Sequence, residues 1–176
     1  MSESGPGSRH HPHRRAAPER VVVCVLTVSD TRTLETDTGG ARVEELLVGA
    51  GHTVLPRGIV PDDAGAIARA LRAALARDGV DAVVLTGGTG IAPRDVTPEA
   101  VLPLLERVVP GFGELFRMLS YQEIGSAAVL SRALAGLASG RVVFVLPGSR
   151  GAVQLAMEKL VLPELGHLLG EARKAR

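Results

Sequence analysis

From Arg20 onward, apolar and polar positions switch between two periods, which predicts alternating strands and helices. Residues 21–28 form an unbroken valine-rich run, the pattern of a strand covered on both faces. Residues 39–50 put Val43, Leu46, Leu47 and Ala50 on one helical face, with Arg42, Glu44 and Glu45 turned away and Gly51 as the stop. A second strand is predicted at 53–60, where Pro56 demands an edge or a bulge. Residues 62–78 predict a helix with Ile67, Ala68, Leu71, Ala74 and Leu75 inward, ended by Gly79. A short buried strand follows at 82–85.

The second half is less regular. Residues 98–108 predict a helix kinked or broken at Pro103. Pro110 starts another, with Phe112, Leu115, Phe116 and Leu119 as its apolar positions. Two apolar runs, 132–137 and 142–146, flank Ser139-Gly140. The second reads as a buried strand, the first as an edge strand paired with it through a hairpin. Helical segments at 149–160 and 162–172 close the chain. Repeated strand–helix–strand units predict a mostly parallel sheet with helices on both faces, a three-layer α/β/α sandwich.

Ligands in such sheets bind beyond the C-terminal ends of the strands. The segments at those positions are Ser29-Asp30-Thr31-Arg32, Pro61-Asp62-Asp63, the loop 87–95, and Pro147-Gly148-Ser149-Arg150-Gly151. The third is the most informative. Gly87, Gly88 and Gly90 fall within four residues, directly after a strand, and backbone amides there face no side chain, which suits phosphate oxygens. Asp95 follows, a carboxylate able to hold a metal ion beside those phosphates. Thr97 and Pro98 read as the N-cap and first position of a helix. The loop lacks the ending of a P-loop and the spacing of a dinucleotide fold, so by itself it is equally well a tight strand-to-helix connection. Its neighbours on the rim favour a phosphate-and-magnesium site.

Composition narrows the partners. The chain has 176 residues, 45% hydrophobic but only 2% aromatic, so the core is aliphatic and base-stacking platforms are absent. A net charge of +1 gives no overall field toward DNA or a membrane. Cys24, the only cysteine, lies in a strand and reads as a buried core residue. No apolar stretch spans a bilayer and no signal-peptide core is present, which predicts a cytoplasmic protein. Residues 1–19 hold no large apolar residue after Met1 and predict a disordered tail before a single α/β domain at 20–176. His10, His11 and His13 fall in that tail, among arginines and a proline, and read as solvated. His52 and His167 lie outside every rim motif.

At these residues the chain resembles the MoaB/MogA family of molybdenum-cofactor biosynthesis proteins. The matching runs are Leu-Thr-Val-Ser-Asp-Thr-Arg at 26–32, Val-Pro-Asp-Asp at 60–63, Leu-Thr-Gly-Gly-Thr-Gly at 85–90, Pro-Arg-Asp-Val-Thr-Pro-Glu at 93–99, Pro-Gly-Phe-Gly-Glu at 110–114, Ser-Arg at 131–132 and Leu-Pro-Gly-Ser at 146–149. Residues 112–125 are similar to the MoaB branch. The resemblance implies an α/β/α sandwich assembled as a homotrimer or homohexamer. It implies magnesium-dependent adenylylation of molybdopterin by ATP, with hand-over of the product to a molybdenum-insertion protein. The family's essential aspartates fall on Asp62 and Asp95, as catalytic and magnesium-binding residues. The nucleotide and pterin sites fall on Ser29, Asp30, Thr86, Gly87, Gly88, Thr89, Gly90, Arg94, Ser120, Ser131, Arg132, Pro147, Gly148 and Ser149. For Arg94, phosphate contact and a solvated loop position stay open. Asp63 and Glu114 are expected to cap helices or face solvent. The alternative function is a non-catalytic molybdopterin carrier or assembly protein.

Overall fold

The computed structural model describes residues 18–174. Most of the tail expected at 1–19 lies outside the described residues. Among those described, seven strands form one sheet: β1 (Val22–Val28), β2 (Thr53–Val54), β3 (Gly58–Val60), β4 (Ala82–Thr86), β5 (Arg107–Val108), β6 (Leu134–Ala138) and β7 (Arg141–Leu146). Their order is β2-β1-β4-β7-β6-β5, with β3 beside β1 on the same edge as β2. The ladders from β2 and β3 through β7 are parallel, and β6 and β5 are antiparallel additions.

Two apolar layers cover the sheet, as the continuous hydrophobic strands require. Along β1, Val23 and Val25 face one layer while Cys24, Leu26 and Val28 face the other. The first layer is completed by α1 (Thr38–Gly49), α4 (Pro110–Ile124), α5 (Arg150–Ala156) and α6 (Leu162–Ala172). The second is completed by α2 (Ala64–Ala76) and α3 (Thr97–Val101). Phe112 and Phe144 meet in the first layer with ring centres 5.5 Å apart, a tilted aromatic pair worth about 0.5–1.5 kcal/mol beyond its buried area. Cys24 is buried, as its strand position predicts.

Three expectations change. The strand predicted at 53–60 is two short strands, because Pro56 interrupts the ladder between Val54 and Gly58. The helix predicted at 98–108 stops after Val101. Pro103 lies in a single 3₁₀ turn, Leu102–Leu104, and the chain then pairs as β5 with β6. The run containing β6 forms the expected hairpin with β7 but is not an edge, because β5 covers it.

Register sets the rim. Val28 is level with Val60, Thr27 with Thr86, and Thr86 with Leu146. The segments after β1, β3, β4 and β7 therefore leave the sheet at one height. Two backbone bonds join them in pairs: Ser29 N–H to the Val60 carbonyl at 2.8 Å, and Gly87 N–H to the Leu146 carbonyl at 3.0 Å.

Candidate active site

The glycine loop is built by denying it side chains. Gly87 has φ +97°, and a Cβ there would lie 2.4 Å from the Val28 carbonyl oxygen. Gly88 has φ +63°, and its Cβ would lie 2.3 Å from Thr97 Oγ1 and 3.2 Å from Asp62 Oδ1. Both positions favour the residue without a Cβ, for conformation and for space.

The loop's carbonyls are all used within the protein. Thr97 Oγ1 donates to Gly87 O at 2.8 Å, and Thr97 N–H to Gly88 O at 3.1 Å. Arg132 N–H donates to Thr89 O at 3.2 Å, and Arg132 Nε to Gly90 O at 2.8 Å. The amides of Gly88, Thr89 and Gly90 donate no bond to protein among the described residues. A run of backbone with its acceptors tied down and its donors free favours an anion.

A cavity of about 370 Å³ opens here, lined by Gly87, Gly88, Thr89, Gly90, Asp95, Leu130, Ser131, Pro147 and Gly148. Two of the four rim segments therefore converge on it, with Leu130 and Ser131 added from before β6. A second cavity of about 540 Å³ also touches Ser131 and is lined by Glu99, Glu114, Arg117 and Arg132 among apolar residues including Pro98, Val108 and Leu134.

Asp95 sits at the end of the loop. Its Oδ2 accepts from Ala92 N–H at 2.9 Å and lies 2.7 Å from where a Gly90 Cβ would be. Asp62 stands on the other flank, against Gly88. Its Oδ2 accepts from Asp30 N–H at 3.2 Å. Burial pushes the Asp62 carboxyl above its usual range, and the Asp30 and Asp95 charges act in the same direction. The Asp30 amide and Arg94 oppose the shift. Among the described residues no group of three or more His, Cys, Asp and Glu is arranged to hold a metal. Magnesium bound with phosphates needs only one or two carboxylates. Asp62 and Asp95 supply hard oxygens beside glycines whose missing side chains leave room, and this donor set fits that ion.

Other predicted residues have different surroundings. Thr86 is fully buried, and its hydroxyl lies 3.2 Å from that of Thr27. Ser120 is buried on α4 and lines neither of these cavities. Ser149 caps α5, accepting from Ala152 N–H at 3.3 Å. Ser29 Oγ accepts from the amides of Thr31 and Arg32, ordering the turn after β1. Arg94 is exposed beside the loop. Asp63 caps α2, accepting from Ala66 N–H at 2.7 Å, as expected. Thr97 is not an N-cap: Val96 holds that place, and the Thr97 hydroxyl is spent on Gly87.

Asp37 and Arg57 form a largely buried pair beneath the rim. Asp37 is buried and caps α1 through Gly40 N–H at 2.8 Å. Its Oδ2 accepts from Thr27 Oγ1 and Arg57 Nη1, each at 2.7 Å. The network runs under the rim to Thr86, the residue before Gly87. Asp37 ahead of Thr38-Gly39-Gly40 carries an N-cap signal. Nothing in local sequence pairs it with an arginine twenty residues away.

A family model described as a probable molybdopterin binding domain matches residues 24–167. The chain is 52% identical over 165 residues to molybdenum cofactor biosynthesis protein B of Halalkalibacterium halodurans, covering 93% of this chain and 97% of that one. A crystal structure of molybdenum cofactor biosynthesis protein B superposes with a TM-score of 0.87 at 53% identity, over 90% of this chain and 99% of that one. The tungsten cofactor synthesizing protein MoaB from Pyrococcus furiosus gives 0.81 at 40% identity, over 90% and 100%. With the rim motifs, the three-layer fold and these likenesses in agreement, the chain belongs to the MoaB/MogA family of molybdenum-cofactor biosynthesis proteins, on its MoaB branch.

Proposed function

We propose that this protein adenylylates molybdopterin with ATP, in a magnesium-dependent reaction that releases pyrophosphate. The observation that carries the reading is the loop 87–90, with four carbonyls bonded inward and three amides left free, flanked by Asp62 and Asp95. A terminal phosphate oxygen of molybdopterin attacks the α-phosphorus of ATP. The bond from that phosphorus to the bridging oxygen breaks, and pyrophosphate leaves with the electron pair. The free amides stabilise negative charge on the transferring group, and they need no reorganisation to do so. Magnesium, held by Asp62 and Asp95 with the phosphates, would supply charge neutralisation between two anionic reactants. Positioning and electrostatics suffice for this chemistry. Under this reading, the two cavities meeting at Ser131 divide the nucleotide and the pterin between them.

The protein is proposed to act as a homo-oligomer. Leu115, Met118, Tyr121 and Ile124 of α4 and Val129 and Leu130 of the following 3₁₀ segment are exposed. That many large apolar side chains on neighbouring turns marks an interaction face. Among the described residues no helix is long and apolar enough to cross a membrane.

The test is pyrophosphate release from ATP with and without molybdopterin, in magnesium and after chelation. Release that needs both supports the enzyme. Tight pterin binding with no AMP transfer would instead make the protein a carrier.

A further inference from the structure

We propose that Arg132 and Glu99 are a positioning pair for Asp95: one guanidinium closes the loop 90–95 at both ends and fixes where its carboxylate stands. The inference rests on the adenylyl-transfer reading for what Asp95 does, though not for how the loop is held.

Arg132 Nε donates to the Gly90 carbonyl at 2.8 Å, and Nη2 donates to the Asp95 carbonyl. The two carbonyls bracket the loop. Nη1 donates to Glu99 Oε1, on the first turn of α3. The Arg132 amide holds Thr89 as well, at 3.2 Å. Three of the five guanidinium N–H donors, one on each nitrogen, are therefore spent on protein acceptors. Between the clamped ends the loop has scant other support. Residues 91–94 are exposed, Ile91 at 69%. Its internal bonds are Asp95 N–H to Ala92 O at 2.8 Å and Ala92 N–H to Asp95 Oδ2 at 2.9 Å. The second of these orients the carboxylate itself. It holds only while residues 92 and 95 keep their separation, which the clamp sets.

The geometry needs arginine. A planar fork donates in three directions at once, whereas an ammonium is a point charge on a flexible stem. An arginine that met substrate phosphate would be partly replaced by lysine. An arginine that clamps two carbonyls and a carboxylate would not.

The experiment compares Arg132→Lys, Arg132→Gln and Glu99→Gln by hydrogen–deuterium exchange and steady-state kinetics. Both side chains are partly exposed, at 32% and 55%, so the variants keep the fold. We expect faster exchange at the amides of Ala92 and Asp95 in all three, with melting temperatures within a few degrees of the parent. For Arg132→Lys and Arg132→Gln alike, kcat should fall on the order of 100-fold, the scale for a catalytic group displaced by about 1 Å. KM for ATP should stay close to the parent's, and half-activation should need more magnesium. Glu99→Gln should act in the same direction more weakly and add little to Arg132→Gln. Unchanged loop exchange, or a lysine variant that keeps its kcat and loses only KM, would overturn the proposal. Absence of AMP transfer by the parent would defeat the adenylyl reading alone, and the exchange data would still judge the clamp.

Discussion

Asp30 and Asp62 are bonded crosswise: the Asp30 amide donates to Asp62 Oδ2 at 3.2 Å, and the Asp62 amide donates to Asp30 Oδ1 at 3.0 Å. The pair stitches the loop after β1 to the turn after β3, and it brings two carboxylates together. Burial, then the Asp30 charge, raises the Asp62 carboxyl. The folded state therefore holds this proton more tightly than the unfolded chain does. In the pH interval between the ordinary and the raised value, stability falls as pH rises. If Asp62 holds magnesium as proposed, protons compete with the ion there, and metal affinity should fall as pH drops through the raised value. Asp30→Asn keeps an oxygen acceptor and removes the charge. We expect the Asp62 midpoint, read by carboxyl NMR in magnesium-free protein, to move down. An unmoved midpoint would leave the shift to burial and the Asp95 charge and remove Asp30 from the account.

Asp37 is 3% exposed, and Arg57 is its charged partner. Arg57 also reaches Glu44 at 2.7 Å. Removing one member of a buried pair strands the other in a medium that solvates charge poorly. Arg57→Gln should cost about 3 kcal/mol of stability, the lower end for such breaks. Thr27→Val, which removes one hydroxyl donor to Asp37, should cost about 1 kcal/mol. Urea midpoints check both. Equal, small losses would show that the network is not what holds α1 to the rim.

The layered architecture was legible because β1, β4 and β7 are apolar on both faces, and only a doubly covered sheet needs that. The glycine loop and both aspartates were legible because they follow strands whose ends must share a rim. The failures have a common cause. The strand β5 is two exposed residues, Arg107 and Val108, and its hydrogen bonds to β6 leave no trace in hydrophobic pattern. The bonds of Arg132 to the Gly90 and Asp95 carbonyls and to Glu99 are likewise invisible in the sequence. Thr97 has a capping residue's identity, but the Gly87 carbonyl claims its hydroxyl. Short strands and long-range polar partners are set by tertiary structure and have no local period.

The apolar positions of α4 divide between two faces. Phe112 and Phe116 enter the core, and Leu119 packs partly against it. Leu115 and Met118 are about half exposed, at 47% and 52%, and Tyr121 and Ile124 more so. We expect light scattering at micromolar concentration to give a multiple of the 18.3 kDa chain. The double variant Leu115→Glu with Met118→Glu should shift that mass to the monomer, because charge desolvated in an interface is costly. A monomeric parent would leave this face without the partner proposed for it.

Asp62→Asn and Asp95→Asn separate chemistry from architecture. In each, the amide side chain keeps the oxygen that accepts a backbone bond, from Asp30 N–H in one case and Ala92 N–H in the other. The loop should therefore hold its shape while the negative charge disappears. Asp62 also loses a carboxyl that the folded state ionises reluctantly, so its asparagine variant should be at least as stable as the parent. For both we expect AMP transfer to fall about 100-fold or more, the range seen when one preorganised electrostatic group is removed. Pterin binding, followed by calorimetry, should survive, because the free loop amides and the cavities at Ser131 are untouched. A destabilised protein that loses binding and turnover together would make these aspartates scaffold residues. Two well-folded variants that still transfer AMP at the parent's rate would remove Asp62 and Asp95 from the reaction and leave the carrier as the better account.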